Sequence, residues 1–69
     1  MTFAEYLVRA GQRAADNRLD YSERVGQAYF NELYAVRQDL AGKVIGKPFD
    51  PFYNDGNLGE FLSWVGENW

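Results

Sequence analysis

VGQAYFNELYAVRQDL, residues 25–40, decides the fold class. Val25, Tyr29, Leu33, Val36 and Leu40 recur at spacings of 4, 4, 3 and 4, the repeat of one apolar face of an α-helix. Upstream, Asp20 and Ser22 both suit the N-cap of this helix, and Glu23 completes a capping box with Asp20. Past Arg37 the pattern weakens. There Asp39 is expected to cap a short extra helix through Ile45, which Gly46 and Pro48 would end.

Working outward, Thr2 and Glu5 form a Thr-x-x-Glu box, and Phe3, Leu7, Ala10 and Ala14 share one face of a helix from Phe3 to about Asp16. Arg9 and Arg13, with Glu5 and Asp16, take the opposite side and read as a solvated face. Residues 46–57 are turn chemistry: Asp50-Pro51 suits the start of one short helical turn, and Asp55-Gly56 suits a turn with positive φ at the glycine. Asn57 and Glu60 then form a third box, followed by Leu58, Phe61, Leu62, Val65 and Trp69 on one face of a last helix. Residues 2–11, TFAEYLVRAG, echo residues 57–66, NLGEFLSWVG, which reinforces both helices. Because glycine inside a helix costs roughly 1 kcal/mol relative to alanine, Gly11 and Gly26 are expected where helices approach closely. The fold predicted for residues 1–69 is one all-α domain, a small bundle of three main helices with a proline-aromatic loop before the C-terminal helix.

The 69 residues hold 7 Lys+Arg and 10 Asp+Glu, a formal net charge of −3, with no His and no Cys. Five Phe, 5 Tyr and 2 Trp put the chain well outside the disordered regime, and no apolar run is long enough for a bilayer, so no membrane association is expected. Area scaling predicts roughly 4,400 Å² exposed when folded, against roughly 11,000 Å² unfolded. Apolar burial then yields about 100 kcal/mol, and ordering the chain costs nearly as much. With no disulfide or thiolate metal site to staple so thin a margin, stability rests on aromatic packing, a partner or self-association. The lack of cysteine fits a reducing cytoplasm. The helix start right after Met1, without a secretory pattern, gives the expectation that the mature chain begins near residue 1.

Without imidazole or thiol, the usual neutral-pH base, the strongest nucleophile and the soft metal ligands are missing. Of the hydroxyls, Thr2 and Ser22 read as caps and Ser63 has no base to activate it. The stretch from Asp50 to Glu60 fails as a calcium loop, because Pro51, Tyr53 and Leu62 fall where carboxylates belong. The expectation is a non-enzymatic protein with no cofactor and no metal.

Three features point instead to partner binding. Residues 1–47 carry a net charge of +1, whereas residues 48–69 carry −4 together with half of the aromatics. Acid beside exposed rings suits docking on a basic protein surface, with Phe52 and Tyr53 as anchors and Asp55 and Glu60 for steering. Trp64, at the edge of the last helix's apolar stripe, either covers the proline-aromatic loop or projects as an anchor. Gln27, Asn31, Tyr34 and Gln38 recur at 4, 3 and 4 without a charge, a face suited to hydrogen-bonding a partner or tying the helix to the loop. Arg9, Arg13, Arg18 and Arg24 alternate with Glu5, Asp16, Asp20 and Glu23, which cancels the field that nucleic acid would require.

At Gly26-Gln27-Ala28-Tyr29-Phe30-Asn31-Glu32-Leu33, then Asp50-Pro51-Phe52-Tyr53-Asn54-Asp55 and Phe61-Leu62-Ser63-Trp64, the chain resembles short uncharacterised helical proteins of bacteriophages and prophages. The resemblance covers residues 22–69 through its GQxxxNxL and DPFYxD elements. It implies a setting, the cytoplasm of a bacterial host, and brings no catalytic residue. Small phage accessory proteins often act by stoichiometric binding. The function expected is therefore an interaction protein, an inhibitor or modulator of a bacterial host defence or transcription protein, contacting it through Gln27, Asn31, Tyr34, Phe52, Tyr53, Asp55, Glu60 and Trp64. The alternative is a small assembly subunit that associates with itself. Nucleic-acid binding ranks third.

Overall fold

A computed structural model describes residues 1–20 and 23–69, with main chain only at 18–20. The first capping box forms in full: Thr2 Oγ1 accepts the Glu5 N–H at 3.1 Å and Glu5 Oε1 accepts the Thr2 N–H at 3.0 Å. It opens α1, Phe3–Asp20, which continues four residues past the expected end because no Gly or Pro interrupts residues 12–20. Asp20 thus closes the first helix instead of opening the second. Ser22 and the side chains of Arg18 and Asp20 lie outside the described residues.

Helix α2, Val25–Val36, starts from extended backbone at Arg24, whose N–H is accepted by Gln27 Oε1 at 3.1 Å. Arg37, at φ −141° and ψ 72°, separates it from α3, Gln38–Val44. Asp39 is therefore not the cap of α3: it lies in the first turn, where its two oxygens accept from the Arg37 guanidinium at 3.0 Å each. That pairing holds the Asp39 carboxyl down at about 2. Gly46, at φ +83°, stops the run as a left-handed glycine after the Ile45 cap.

The loop folds differently from its expected turns. Asp50 Oδ1 accepts the Phe52 N–H at 2.9 Å, closing a single turn without a helix. The one short helical segment is a 3₁₀ turn at Asp55–Asn57, capped by Asn54, whose side chain accepts the Gly56 N–H at 2.9 Å. Gly56 accordingly needs no positive φ; among the described glycines only Gly46 has one. Helix α4, Leu58–Asn68, follows at once. The Asn57 box does not form: Asn57 Nδ2 donates instead to the Pro48 and Asp50 carbonyls at 3.0 and 3.1 Å, which laces the loop. Four α-helices and no strand make a small all-α bundle among the described residues.

Tyr6, Ala10, Ala28, Phe30, Leu33, Leu40, Ala41, Val44, Phe61 and Val65 are buried at its centre. The exposed area of 4248 Å² matches the area expected for a folded chain of this mass. α1 packs along α2, and α4 closes the bundle, with Gly66 letting the Phe3 ring approach where a Cβ would stand 3.0 Å away. No helix among the described residues is long and apolar enough to cross a membrane.

The buried face of α1 is rotated from the one expected. Tyr6, not Leu7, is its centre, and Arg13 lies about 20° from Tyr6 on the wheel. Arg9 and Arg13 therefore reach across to α2, although Arg9 keeps 55% of its side chain in solvent as the solvated-face reading expected. Glu32, 8% exposed, accepts from Arg9 Nε at 3.0 Å and from Arg13 at 3.3 Å. Glu23 takes two further bonds from Arg13, at 2.9 and 3.0 Å. Burying carboxylates at a helix interface requires such pairing, and it is complete: no buried side-chain nitrogen or oxygen lacks a partner among the described residues.

Candidate interaction surface

Gly26 positions the surface. A Cβ at this residue would collide with the Pro51 carbonyl oxygen and stand 2.7 Å from Asp55 Oδ1, so α2 and the loop meet backbone to backbone. The close approach expected of Gly26 is thus to the loop and not to another helix. Asp55 Oδ1 accepts the Gly26 N–H at 2.9 Å, and the Arg24 guanidinium donates to the Phe52 carbonyl at 2.7 Å and lies 3.8 Å from Asp55. Pro51 is fully buried beneath this junction.

The docked loop presents its rings in two directions. Phe52 is half-buried, edge-on to Phe30 with centroids 5.6 Å apart. Tyr53, edge-on to Phe52 at 4.9 Å, is 80% exposed. Together with Ile45, 60% exposed, and Asp50, these rings line an open cleft of about 200 Å³. Tyr34, one helical turn beyond Phe30, leaves a further 48% of its surface to solvent. Ile45 is open because it follows the last turn of α3 as the cap residue, with the chain turning away at Gly46.

The eight residues expected to contact a partner are not gathered in one place. Phe52 and Tyr53 share the cleft, with Tyr34 on the same face of α2 as Phe30. Asp55 is committed to Gly26 and Arg24. Gln27 and Asn31 are committed as well, the first to the Arg24 N–H and the second through Nδ2 to Glu23 Oε2 at 2.6 Å; they tie the start of α2 rather than the loop. With Arg13 first, then Asn31 and Asn17 donating to it, Glu23 is held below the usual carboxylate range despite its partial burial. Trp64 is half-buried against Phe49, centroids 5.6 Å apart, on the loop's other side, and Glu60 lies exposed on α4. Phe30 and Ile45 were not on the expected contact list. Phe30 stands one step off the Val25–Leu33 stripe, and a bulky residue just before a helix-ending glycine is the only local hint at Ile45.

A second aromatic cluster packs within the bundle. Tyr6 stacks on Trp69 at 5.4 Å and donates its hydroxyl to the Tyr29 carbonyl at 2.6 Å, and its burial raises its pKa far above the ordinary value. Trp69 Nε1 donates to the Met1 carbonyl at 3.0 Å, and Arg37 covers the Trp69 ring at 5.1 Å while donating to the Trp69 main-chain oxygen at 2.8 Å. The hydroxyl and the indole N–H of this cluster are thus both occupied within the chain. Compared with protein-family models, curated proteins and solved structures, the chain matches none.

Proposed function

We propose that the chain is a non-enzymatic interaction protein, phage-derived, that binds and modulates a bacterial host protein of defence or transcription through the cleft between Phe30, Ile45, Phe52 and Tyr53. The observation that carries this reading is the exposure of Tyr53, 80%, on a loop that is otherwise fastened at Gly26, Asp50 and Asn57. A rigidly held, exposed aromatic next to a second apolar side chain has the form of a binding hot spot, since little ordering entropy is lost on contact. The phage setting rests on the GQxxxNxL and DPFYxD resemblance. Affinity capture from a bacterial lysate with the native chain and with Tyr53→Ala tests it: a protein retained by the first and lost with the second is expected. Identical retention by both removes the cleft from the function.

A second reading, self-association, draws on α1. Met1, Ala4 and Val8 line an open hollow of about 390 Å³ together with Glu5 and Arg9, and Val8 is 60% exposed. Sedimentation across micromolar concentrations tests it, a constant monomer mass arguing against. Nucleic-acid binding has the least support, because Arg9, Arg13, Arg24 and Arg37 each reach a carboxylate within the chain.

A further inference from the structure

Four carboxylates of this chain meet an arginine: Glu32 takes Arg9, Glu23 takes Arg13, Asp39 takes Arg37, and Asp55 stands 3.8 Å from Arg24. Asp50 has none. It is half-buried and lines the cleft, its Oδ1 accepts the Phe52 N–H at 2.9 Å, and no described cation forms an ion pair with it. A carboxylate that accepts a main-chain N–H keeps its negative charge, and this one keeps it with less water around it than a surface acid has. The other described acids without an arginine, Glu5, Asp16, Glu60 and Glu67, stand exposed on α1 and α4.

Asp50 is also the one charged residue among those that line the cleft, beside Phe30, Ile45, Phe52 and Tyr53. Rings next to a carboxylate attract a positive group twice over, the ring face through its quadrupole and the acid through its charge. An apolar occupant would strip water from Asp50 and return no partner, and an acidic one would meet like charge. At about 200 Å³ the cleft is smaller than the roughly 300–1,000 Å³ of small-molecule sites and suits one long side chain of a protein partner. No cation of the chain fills it: Lys43 and Lys47 are not among its lining residues, and Arg24 is engaged by the Phe52 carbonyl and Asp55. Residues 48–69 carry −4 and no base, so the field around the loop draws a basic segment.

We infer that the cleft takes an arginine side chain from a basic protein segment, its guanidinium between the Tyr53 ring and the Asp50 carboxylate. This rests on the interaction reading above and adds the partner's chemistry. Arginine suits the place better than lysine, because its planar group is weakly hydrated, stacks on aromatic faces and donates from several N–H groups at once. The basic partner expected from the charge split is kept, with Asp50 as its charged contact in place of Asp55, which is held by Gly26 and Arg24.

Panning a displayed library of random peptides on the full chain, followed by titration of a selected peptide, tests this. The expected binders share an Arg flanked by further Lys or Arg. Exchanging that Arg for citrulline, which keeps the shape and loses the charge, should weaken binding to the native chain about tenfold; Asp50→Asn should weaken the Arg peptide by about the same factor and leave the citrulline peptide unchanged. Asp50→Asn retains an oxygen to accept the Phe52 N–H, so the loop keeps its turn. Tyr53→Phe should bind within about twofold of the native chain, since the ring and not the hydroxyl meets the cation, whereas Tyr53→Ala loses the peptide. Binders that need Tyr53 but are acidic or wholly apolar, or that ignore the citrulline exchange or Asp50→Asn, would overturn the cationic occupant and leave the interaction reading intact. An empty selection, or binders indifferent to Tyr53→Ala, would overturn it too; a lysate protein still lost with Tyr53→Ala then keeps the interaction reading, and one retained removes that as well.

Discussion

Two aromatic clusters of this small bundle are built from the same kind of residue and do opposite things. At one, Phe3, Tyr6 and Trp69 stack among themselves, and their hydroxyl and indole N–H are both spent on main-chain carbonyls. At the other, Phe30, Phe52 and Tyr53 meet edge to edge and leave Tyr53 and Ile45 in solvent. The difference lies in what covers them. Arg37 and the Gly66 turn of α4 close over the first group, while the loop is drawn down at Gly26 with only its inner ring facing the core. Aromatic content alone therefore identifies neither core nor interface.

The comparison can be broken most severely at Tyr6. Tyr6→Ala removes a fully buried ring and should cost about 3–5 kcal/mol, enough to unfold much of so small a chain in a denaturant titration. Gly26→Ala is expected to cost about 1–3 kcal/mol by forcing Pro51 and Asp55 away from α2. It should also loosen the cleft, so capture of the lysate protein falls together with the melting temperature. Tyr6→Phe keeps the ring and deletes only the bond to the Tyr29 carbonyl, an expected loss of about 1 kcal/mol by urea unfolding.

Acid probes the α1–α2 seam and the α2–α3 junction. Glu23 and Asp39 both have folded values below their unfolded ones, 4.5 and 3.8, so they contribute stability at neutral pH that is lost as the pH falls through the folded values. The melting temperature should then decline below about pH 4.5, and less steeply in Glu23→Gln. The smallest effect on stability is reserved for Tyr53→Ala, within about 0.5 kcal/mol of the native chain although partner capture is lost. Loss of stability at Tyr6 and loss of capture alone at Tyr53 would sharpen the contrast between the two clusters.

Local chemistry was readable where a contact closes within one turn. Thr2 and Glu5 cap α1 as their spacing implied, because both partners lie three residues apart. Asn57 has the same spacing to Glu60 and behaves otherwise: its amide finds the Pro48 and Asp50 carbonyls, brought near by a loop that no pattern describes. Likewise, Arg9 and Arg13 look solvated on their own helix and are paired because Glu32 of α2 and Glu23 just before that helix lie across from them. At the candidate surface, Phe52, Tyr53 and Tyr34 were legible as aromatics near turns or on a polar face. Ile45 was not, since its exposure depends on where α3 ends.

By itself the sequence determined four helices, the glycine stop after Ile45 and the turn character of residues 46–57, because periodicity, caps and backbone preference act over a few residues. Only the tertiary structure decided which aromatics turn inward and which carboxylates are consumed by arginines. Most of those outcomes depend on groups far apart in the sequence, as with Tyr6 and Tyr29 or Gly26 and Asp55, and no local pattern encodes a distance across the bundle.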